Sequence, residues 1–317
     1  MSRKKLKNRR RKDRAQRKIL IAAVCIAAVI IGVGIGGHVI KKNAGKAMTT
    51  AGTESKKAVS KKKATAKKLT INENETDASN KENQGQKDQA DDRSEFAVQP
   101  GRTVGTTEQS DEKVVYLTLD DGPSKNTQAV LDILDKYNAK ATFFVTGAMP
   151  EYKDMIKKAY DKGHTIGMHT YSHDYAKVYA SVDAYFQDLD QIGQLVKEEI
   201  GYVPCFIRFP GGSSNTISAS YTKGIMTTLT QEVQARGYQY YDWNGSSGDG
   251  AVRTTEQLVD QATGFHDNNI ILLSHDSETK DTTVEDLPKI IEYYQSQGYV
   301  FKALDLNSYV AHHGVNN

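Results

Sequence analysis

The stretch Val114-Val-Tyr-Leu-Thr-Leu-Asp-Asp121 decides how the rest of the chain is interpreted. Its first six residues have the apolar and β-branched character of a buried strand, and two carboxylates follow directly. Similar short apolar runs alternate with longer helical segments, which predicts a parallel α/β fold and leaves both a barrel and an open sheet possible. The other predicted strands are 141–145, 165–168, 207–209, 238–241, 270–274 and 301–303, and the predicted helices are 127–137, 151–162, 182–200, 221–236, 254–265 and 284–297.

Polar side chains lie within or directly after five of the predicted strands. In parallel α/β folds the carboxyl ends of the strands meet at one edge, where active sites are built. One such residue alone would be an ordinary loop residue or helix cap, but five strands in succession indicate a shared site. The residues are Asp120 and Asp121, His169, Arg208, Asp242 and His275.

The segment His169-Thr-Tyr-Ser-His173 is the strongest metal signal in the sequence. Two imidazoles four residues apart can converge on one ion. A third, anionic ligand such as Asp121 would give a set with open coordination positions, which is typical of catalytic sites. Asp120 could then stay free as a base, with Arg208 offsetting the repulsion between the adjacent carboxylates.

Four motifs in order resemble those of the NodB-type polysaccharide deacetylases, carbohydrate esterase family four. They are Thr118-Leu-Asp-Asp-Gly122, His169-Thr-Tyr-Ser-His173, Arg208-Phe-Pro-Gly211 and Leu273-Ser-His275. The resemblance covers about residues 113–310. It implies a distorted (β/α) barrel and the metal-dependent removal of acetyl groups from N-acetylated sugars.

The resemblance also implies roles for individual residues. It implies a divalent ion, with Zn²⁺ preferred and Co²⁺, Ni²⁺ or Mn²⁺ as alternatives, that polarises the amide carbonyl. It further implies a general base held ionised by an arginine, and a general acid that protonates the leaving amine. The metal ligands are Asp121, His169 and His173, the base Asp120 with Arg208, the acid His275, and the candidate contacts to substrate or oxyanion Gly211, Trp243 and Leu273.

The sequence departs from the family pattern at two places. The family often has an aromatic residue where Gly211 stands, and the loss of that ring could widen one wall of the groove while the backbone N–H donor is kept. The Asp-x-x-Asp-Trp motif is also absent, so either Asp242 or Asp249 could orient His275. Asp242 is preferred because it ends a strand beside Trp243, whose ring could belong to the core, the groove wall or a sugar platform.

Charge and aromatic content divide the chain near residue 112. Residues 1–112 hold 25 Lys and Arg against 13 Asp and Glu, a net charge of +12, while residues 113–317 hold 17 against 26, a net charge of −9. All 17 Tyr and the single Trp lie in the second part. An evenly mixed globular chain is therefore excluded, and residues 113–317 form the expected catalytic domain.

The first part divides into three predicted segments. Residues 1–18 form a basic cytoplasmic leader, residues 19–40 an uncharged transmembrane anchor, and residues 41–112 a flexible polar linker. A nucleic-acid-binding role for the basic leader is disfavoured by the apolar span directly behind it. The two cysteines, Cys25 and Cys205, exclude a disulfide scaffold or a cysteine-rich zinc site.

These features predict a single-pass protein of the cell membrane whose extracellular domain deacetylates N-acetylglucosamine in peptidoglycan. Muramic acid, chitin oligomers, poly-N-acetylglucosamine and acetylated xylan are alternative substrates. An alternative of another class is a non-catalytic glycan-binding module. That alternative is disfavoured because the full set of candidate metal ligands, base and acid is present.

Overall fold

Eight parallel strands form one sheet in the computed structural model, which describes residues 93–317. The strand order is β5-β4-β3-β2-β1-β7-β6, and β8 pairs with the first residues of β1. The strands are β1 Val114–Asp120, β2 Ala141–Thr146, β3 Thr165–Thr170, β4 Phe206–Ile207, β5 Gln239–Tyr240, β6 Gly245–Ser246, β7 Asn269–His275 and β8 Val300–Phe301.

Helices alternate with these strands, as expected for βα units. Their apolar faces pack on one face of the sheet, with buried residues such as Leu131, Leu189 and Leu287 at the interface. The helices are α1 Thr127–Lys136, α2 Asp154–Asp161, α3 Tyr175–Val178, α4 Val182–Ile200, α5 Ile225–Ala235, α6 Thr255–Ala262 and α7 Asp281–Ser296.

The predicted elements are present with shifted ends, and two short elements were not predicted. The helix expected to begin at residue 221 begins at Ile225, because Gly224 before it has a left-handed backbone with φ of 76°. Arg208 was expected within a strand and instead follows β4, which pairs over only two residues. The short strand β6 and the single-turn helix α3 had no signal in the hydrophobic pattern.

Alternation along β1 explains which side chains reach the site. Val115, Leu117 and Leu119 lie in the core beneath the helices. Successive residues of a strand point to opposite faces, so the alternate residues, among them Thr118 and Asp120, point to the other face. The same alternation on β3 and β7 directs His169 and His275 to that second face, away from Met168 and Leu272 in the core.

The second face is covered by the two ends of the described chain. Phe96 and Val104 from the amino-terminal side are buried there, together with Leu304 and Val310 from the carboxyl-terminal side. The segment 93–112 was predicted to be the last part of a flexible linker, with the domain beginning at residue 113. It packs against the domain instead, so the folded unit begins earlier than predicted.

The sheet is an open version of the expected distorted barrel. In the described residues the strand path runs from β5 to β6, and these two strands do not pair with each other. Within residues 93–317, no helix combines the length and the apolar character needed to cross a bilayer. The predicted leader, anchor and most of the predicted linker lie outside the described residues.

Candidate active site

The chemically active residues meet at the carboxyl edge of the sheet. Asp120 ends β1 and His275 ends β7, and the two are paired across the parallel ladder. His169 lies near the end of β3, and Arg208 follows β4. Neighbouring strands are about 4.8 Å apart, so residues at this edge can act on one small group. The predicted gathering of strand-end residues is therefore present.

Asp121, His169 and His173 form a cluster that could hold a metal ion. One ligand atom from each lies within 4.8 Å of the others. Asp121 Oδ1 is 3.6 Å from His169 Nε2 and 3.3 Å from His173 Nε2. This carboxylate oxygen is buried and has no hydrogen-bond donor in residues 93–317. An acceptor without a donor between two imidazole nitrogens fits a cation, because buried charges require pairing or coordination.

The backbone of two of these residues is in an uncommon conformation. Asp121 has φ of 71° and His173 has φ of 48°. Both values lie in the left-handed region, which residues other than glycine seldom adopt. Such conformations concentrate at functional sites, where the surrounding structure holds them. Asp188 on α4 contributes here, since its Oδ1 accepts hydrogen bonds from the backbone N–H groups of Tyr171 and Ser172 between the two histidines, at 2.6 and 3.1 Å.

His169 is held in the neutral form that a metal ligand would need. Its Nδ1 lies 2.7 Å from the carbonyl oxygen of Arg208, so this nitrogen carries the proton and Nε2 keeps its lone pair facing Asp121. Burial, and then the neighbouring His173, lower the pKa of His169 to about 3. The imidazole is therefore uncharged at neutral pH, as coordination requires.

Asp120 is held by the fully buried Arg208. Arg208 Nη1 donates to Asp120 Oδ1 at 2.8 Å and to Thr118 Oγ1 at 2.7 Å. Arg208 Nε and Nη2 donate to the backbone carbonyl oxygens of Tyr241 and Asp242, respectively. Burial raises the pKa of Asp120 above its usual range, and Arg208 limits that rise without cancelling it. A carboxylate that is ionised by an arginine and yet more basic than usual suits a general base.

His275 forms its partnership with Asp249. Asp249 Oδ1 lies 2.8 Å from His275 Nδ1, and its Oδ2 accepts from the His275 backbone N–H at 2.7 Å and from Thr283 Oγ1 at 2.9 Å. Burial opposes charge on His275, but the Asp249 carboxylate outweighs it and raises the pKa of the imidazole to about 9. The second ring nitrogen then carries a proton that can be given to a leaving group.

Asp242 does not orient His275, which corrects the preference stated above. Its Oδ1 accepts from the Ser213 backbone N–H at 2.8 Å, and its Oδ2 accepts from Ser213 Oγ at 2.5 Å and from the His313 backbone N–H at 2.8 Å. Asp242 thus joins the loop after β4 to the carboxyl-terminal segment. The second candidate, Asp249, is the carboxylate that contacts His275 because β6 pairs with β7 and brings the following loop beside it.

The predicted substrate contacts differ in accessibility. Gly211 lies in the loop after Arg208 with φ of 75°, which a glycine adopts without strain. Trp243 is only 7% exposed and packs its edge on His313, so its ring belongs to the core. Leu273 is also 7% exposed, and its carbonyl oxygen accepts from the Ser247 backbone N–H at 2.9 Å.

Sequence reasoning missed the residues that support the site from neighbouring helices. Asp188 lies on the buried side of α4, and Thr283 lies on α7 beneath Asp249. Both are polar residues on the buried side of an amphipathic helix. One signal could have found them: the helical period places an acid or a hydroxyl at a position that faces the core.

Comparison with known proteins identifies the family. Residues 107–229 match the family model described as polysaccharide deacetylase. The chain is 32% identical over 201 residues to the peptidoglycan-N-acetylglucosamine deacetylase of Bacillus cereus, covering 60% of this chain and 69% of that protein. The residues matched by the family model include Asp120, Asp121, His169, His173 and Arg208.

Two solved structures extend the comparison to the fold. One is the catalytic domain of a peptidoglycan N-acetylglucosamine deacetylase from Eubacterium rectale, with 46% identity, a TM-score of 0.64, and coverage of 67% of this chain and 97% of that one. The other is a polysaccharide deacetylase from Bacillus cereus, with 30% identity, a TM-score of 0.53, and coverage of 61% and 93%. The predicted family and enzyme class are confirmed: this chain belongs to the polysaccharide deacetylase family, hydrolases that act on amide bonds.

Proposed function

We propose that this protein is a metal-dependent N-deacetylase that removes acetyl groups from the N-acetylglucosamine of peptidoglycan. One observation carries the proposal: Asp121, His169 and His173 cluster beside two acid–base pairs at the same sheet edge. The pairs are Asp120 with Arg208 and His275 with Asp249. The first pair would provide a general base and the second a general acid, and amide hydrolysis needs both.

The donor set supports a divalent metal ion. Two imidazole nitrogens and one carboxylate oxygen leave coordination positions open, and this combination suits Zn²⁺ before Mg²⁺ or Ca²⁺. An ion held by these three residues would polarise the acetyl carbonyl and acidify water at the site.

The protein's own residues account for the proton transfers. Asp120 accepts a proton from the attacking water, and Arg208 holds the carboxylate in place. The backbone N–H of Gly211 is the proposed donor to the oxyanion that forms on the acetyl carbonyl. His275 donates a proton to the sugar nitrogen as the carbon–nitrogen bond breaks, because a neutral amine leaves far more readily than an amide anion. The products are acetate and the free amino sugar.

The substrate assignment draws on the relatives. Two relatives are named as peptidoglycan N-acetylglucosamine deacetylases: the Bacillus cereus protein that is 32% identical to this chain, and the Eubacterium rectale catalytic domain that is 46% identical. The sequence adds a reason of its own. A chain tied to the membrane by residues 19–40 would meet cell-wall glycan before any soluble polysaccharide.

Acetate release by the full-length chain in detergent micelles tests this proposal. We expect release from purified peptidoglycan to exceed that from chitin oligomers and acetylated xylan. We also expect activity to be lost on chelation and restored by Zn²⁺. The variant Asp120→Asn should retain the bound metal and lose at least about 100-fold in kcat. Full activity of Asp120→Asn would contradict the mechanism, and a preference for acetylated xylan would contradict the substrate.

We further propose that the protein is anchored in the cell membrane by residues 19–40, with residues 93–317 on the outer side. The uncharged run of 22 residues and the eleven Lys and Arg of residues 1–18 support this orientation. The ten lysines of residues 41–68 would lie between membrane and wall. They would supply attraction to anionic polymers, which residues 113–317, with a net charge of −9, lack.

Membrane fractionation of expressing cells tests the anchor. The full chain should stay with the membranes after alkaline extraction, and the double variant Ala27→Lys, Ile30→Asp should become extractable. External protease should remove the folded domain from intact protoplasts. Extraction of the unchanged chain, or protection of its domain from protease, would rule out this topology.

A further inference from the structure

Two tyrosines of the α3 turn approach the loop that follows β4, and their hydroxyl groups are used differently. Tyr179 is fully buried and donates to the carbonyl oxygen of Pro210 at 2.7 Å. Tyr175 is partly exposed, and the structure records no hydrogen bond for its hydroxyl within residues 93–317. The two rings meet edge to face, with centroids 5.5 Å apart. Tyr179 therefore braces the loop, while the hydroxyl of Tyr175 is available.

The Tyr175 hydroxyl lies against Gly211. A Cβ atom placed on Gly211 would be 2.6 Å from this oxygen, closer than a non-bonded carbon and oxygen can approach. The space that a side chain at position 211 would enter is thus taken by a phenol from another element. A neighbouring atom, Asn215 Cβ, would be 3.1 Å from the same point and closes the other side.

Tyr175 also borders the candidate metal ligands. Its ring contacts the His173 ring edge to face, with centroids 5.8 Å apart and an interplanar angle of 82°. The N-cap of α3 fixes the turn between them, because Asp174 Oδ1 accepts from the Ala176 backbone N–H at 3.0 Å. The phenol therefore stands at the corner between the His173 ligand and Gly211, the proposed oxyanion donor.

A hydroxyl at this corner is suited to a sugar. It can both donate and accept, so it matches the hydroxyls and the acetamide of an N-acetylated hexosamine. Tyrosine presents a rigid apolar ring with one polar end, which loses little conformational freedom on binding. Its ring is held on both sides by His173 and Tyr179, so the oxygen is positioned before substrate arrives.

We propose that the Tyr175 hydroxyl binds the acetylated sugar next to the His173–Gly211 corner and is a substrate-binding residue of this enzyme. The inference rests on the proposed deacetylase function and extends it to the sugar site. Tyr175 lies outside the four sequence motifs. Its hydroxyl would make the contact with the sugar that Gly211, which has no side chain, cannot make.

Steady-state kinetics of Tyr175→Phe on soluble peptidoglycan fragments test the proposal, with the full-length chain in detergent. Phenylalanine keeps the ring contacts and removes only the hydroxyl. We expect kcat/KM to fall about threefold to tenfold, mainly through a higher KM, with the metal content and the melting temperature unchanged. Tyr179→Phe is the matched control, because it also loses one hydroxyl from the same turn. It should melt at a lower temperature and keep the wild-type KM.

Three results would decide against the inference. Kinetic constants of Tyr175→Phe equal to those of the wild type would show that the hydroxyl does not touch the substrate. A loss of bound metal that matches the loss of activity would assign Tyr175 to the metal site. A wild-type chain inactive on these peptidoglycan fragments would overturn the proposed function itself, on which the inference depends.

Discussion

His169 and His275 stand on the same face of one sheet, yet they are held in opposite charge states. Burial lowers the pKa of His169 to about 3, and a backbone carbonyl accepts its Nδ1 proton. Burial acts in the same direction on His275, but the carboxylate of Asp249 takes the carbonyl's place and raises its pKa to about 9. The partner of Nδ1, rather than burial alone, decides whether the ring is neutral or charged.

Two imidazoles in opposite charge states would let one small site provide both a metal ligand and a proton donor. A metal ligand must offer a lone pair, and a general acid must carry a proton at the working pH. The sheet supplies two equivalent strand ends, and the loops behind them supply a neutral acceptor to one ring and a charged acceptor to the other.

The largest effect is expected from replacing the neutral ring. His169→Gln removes a nitrogen ligand, so the metal affinity should fall by more than the roughly 100-fold that loss of a supporting partner costs. Acetate release should become undetectable at stoichiometric Zn²⁺. Metal content by mass spectrometry and acetate release measure the two effects. The exposed His266 gives the matched control His266→Gln, which should bind metal and release acetate like the wild type. Stoichiometric metal in His169→Gln would contradict the assignment.

The next largest effect is expected from removing the charge beside His275. Asp249→Asn keeps the shape of the side chain but no longer favours the protonated ring or its tautomer. The kcat should fall about 100-fold to 10,000-fold while the metal stays bound. Asp242→Asn is the informative comparison, because it loosens the Ser213 loop and the segment at His313. Asp242→Asn should lower the melting temperature and leave kcat close to that of the wild type. The opposite ranking of the two rates would restore Asp242 as the residue that orients His275.

The pH profile should locate the same pair. His275 must be protonated to act as the acid, so kcat should decline about tenfold per unit above pH 9. The pair also stabilises the fold, because the folded pKa lies above the ordinary value of 6.5. That contribution is complete below pH 6.5 and is lost as the pH rises through 9. A basic limb that stays at pH 9 in Asp249→Asn would show that His275 does not produce it.

The smallest effect concerns a buried acid without a partner. Asp286 on α7 has both carboxyl oxygens buried with no hydrogen bond in the described residues, and burial, followed by the nearby Asp249, raises its pKa to about 8. Its folded pKa lies above the unfolded value, so the stability it allows is present at acidic pH and declines as the pH rises from about 4 to 8. Asp286→Asn is neutral throughout. Its melting temperature should match the wild type at pH 4 and exceed it by a few degrees at pH 8. An equal difference at both pH values would contradict this reasoning.

The sequence was sufficient for the residues whose position follows from strand periodicity. Asp120, His169 and His275 each end or nearly end a strand with a clear apolar run, and alternation fixes the face on which they lie. Their convergence needed only the parallel order of the strands.

Asp249 could not be assigned from the sequence with the same reasoning. It follows β6, which has only two residues, Gly245 and Ser246, and no apolar pattern. Nothing local indicates that the chain returns to the sheet there and brings the next loop beside His275. Asp242, which ends a recognisable strand, was preferred for that reason. The burial of Phe96 and Val104 was missed on similar grounds, since isolated apolar residues in a polar stretch have no periodicity.

The packed segment before β1 has a mechanical consequence. Arg93 donates to the carbonyl oxygens of His164 and Tyr160, Phe96 meets Phe206 edge to face, and Gly105 bonds to Leu306 near the end of the chain. Tension along the polypeptide from the side of residue 92 would load these contacts first. Strand β1 carries Asp120 at its far end. It would bear the force only after residues 93–112 had detached from the domain. Asp120, the proposed general base, would thus be protected from strain by residues 93–112, which have no proposed chemical role.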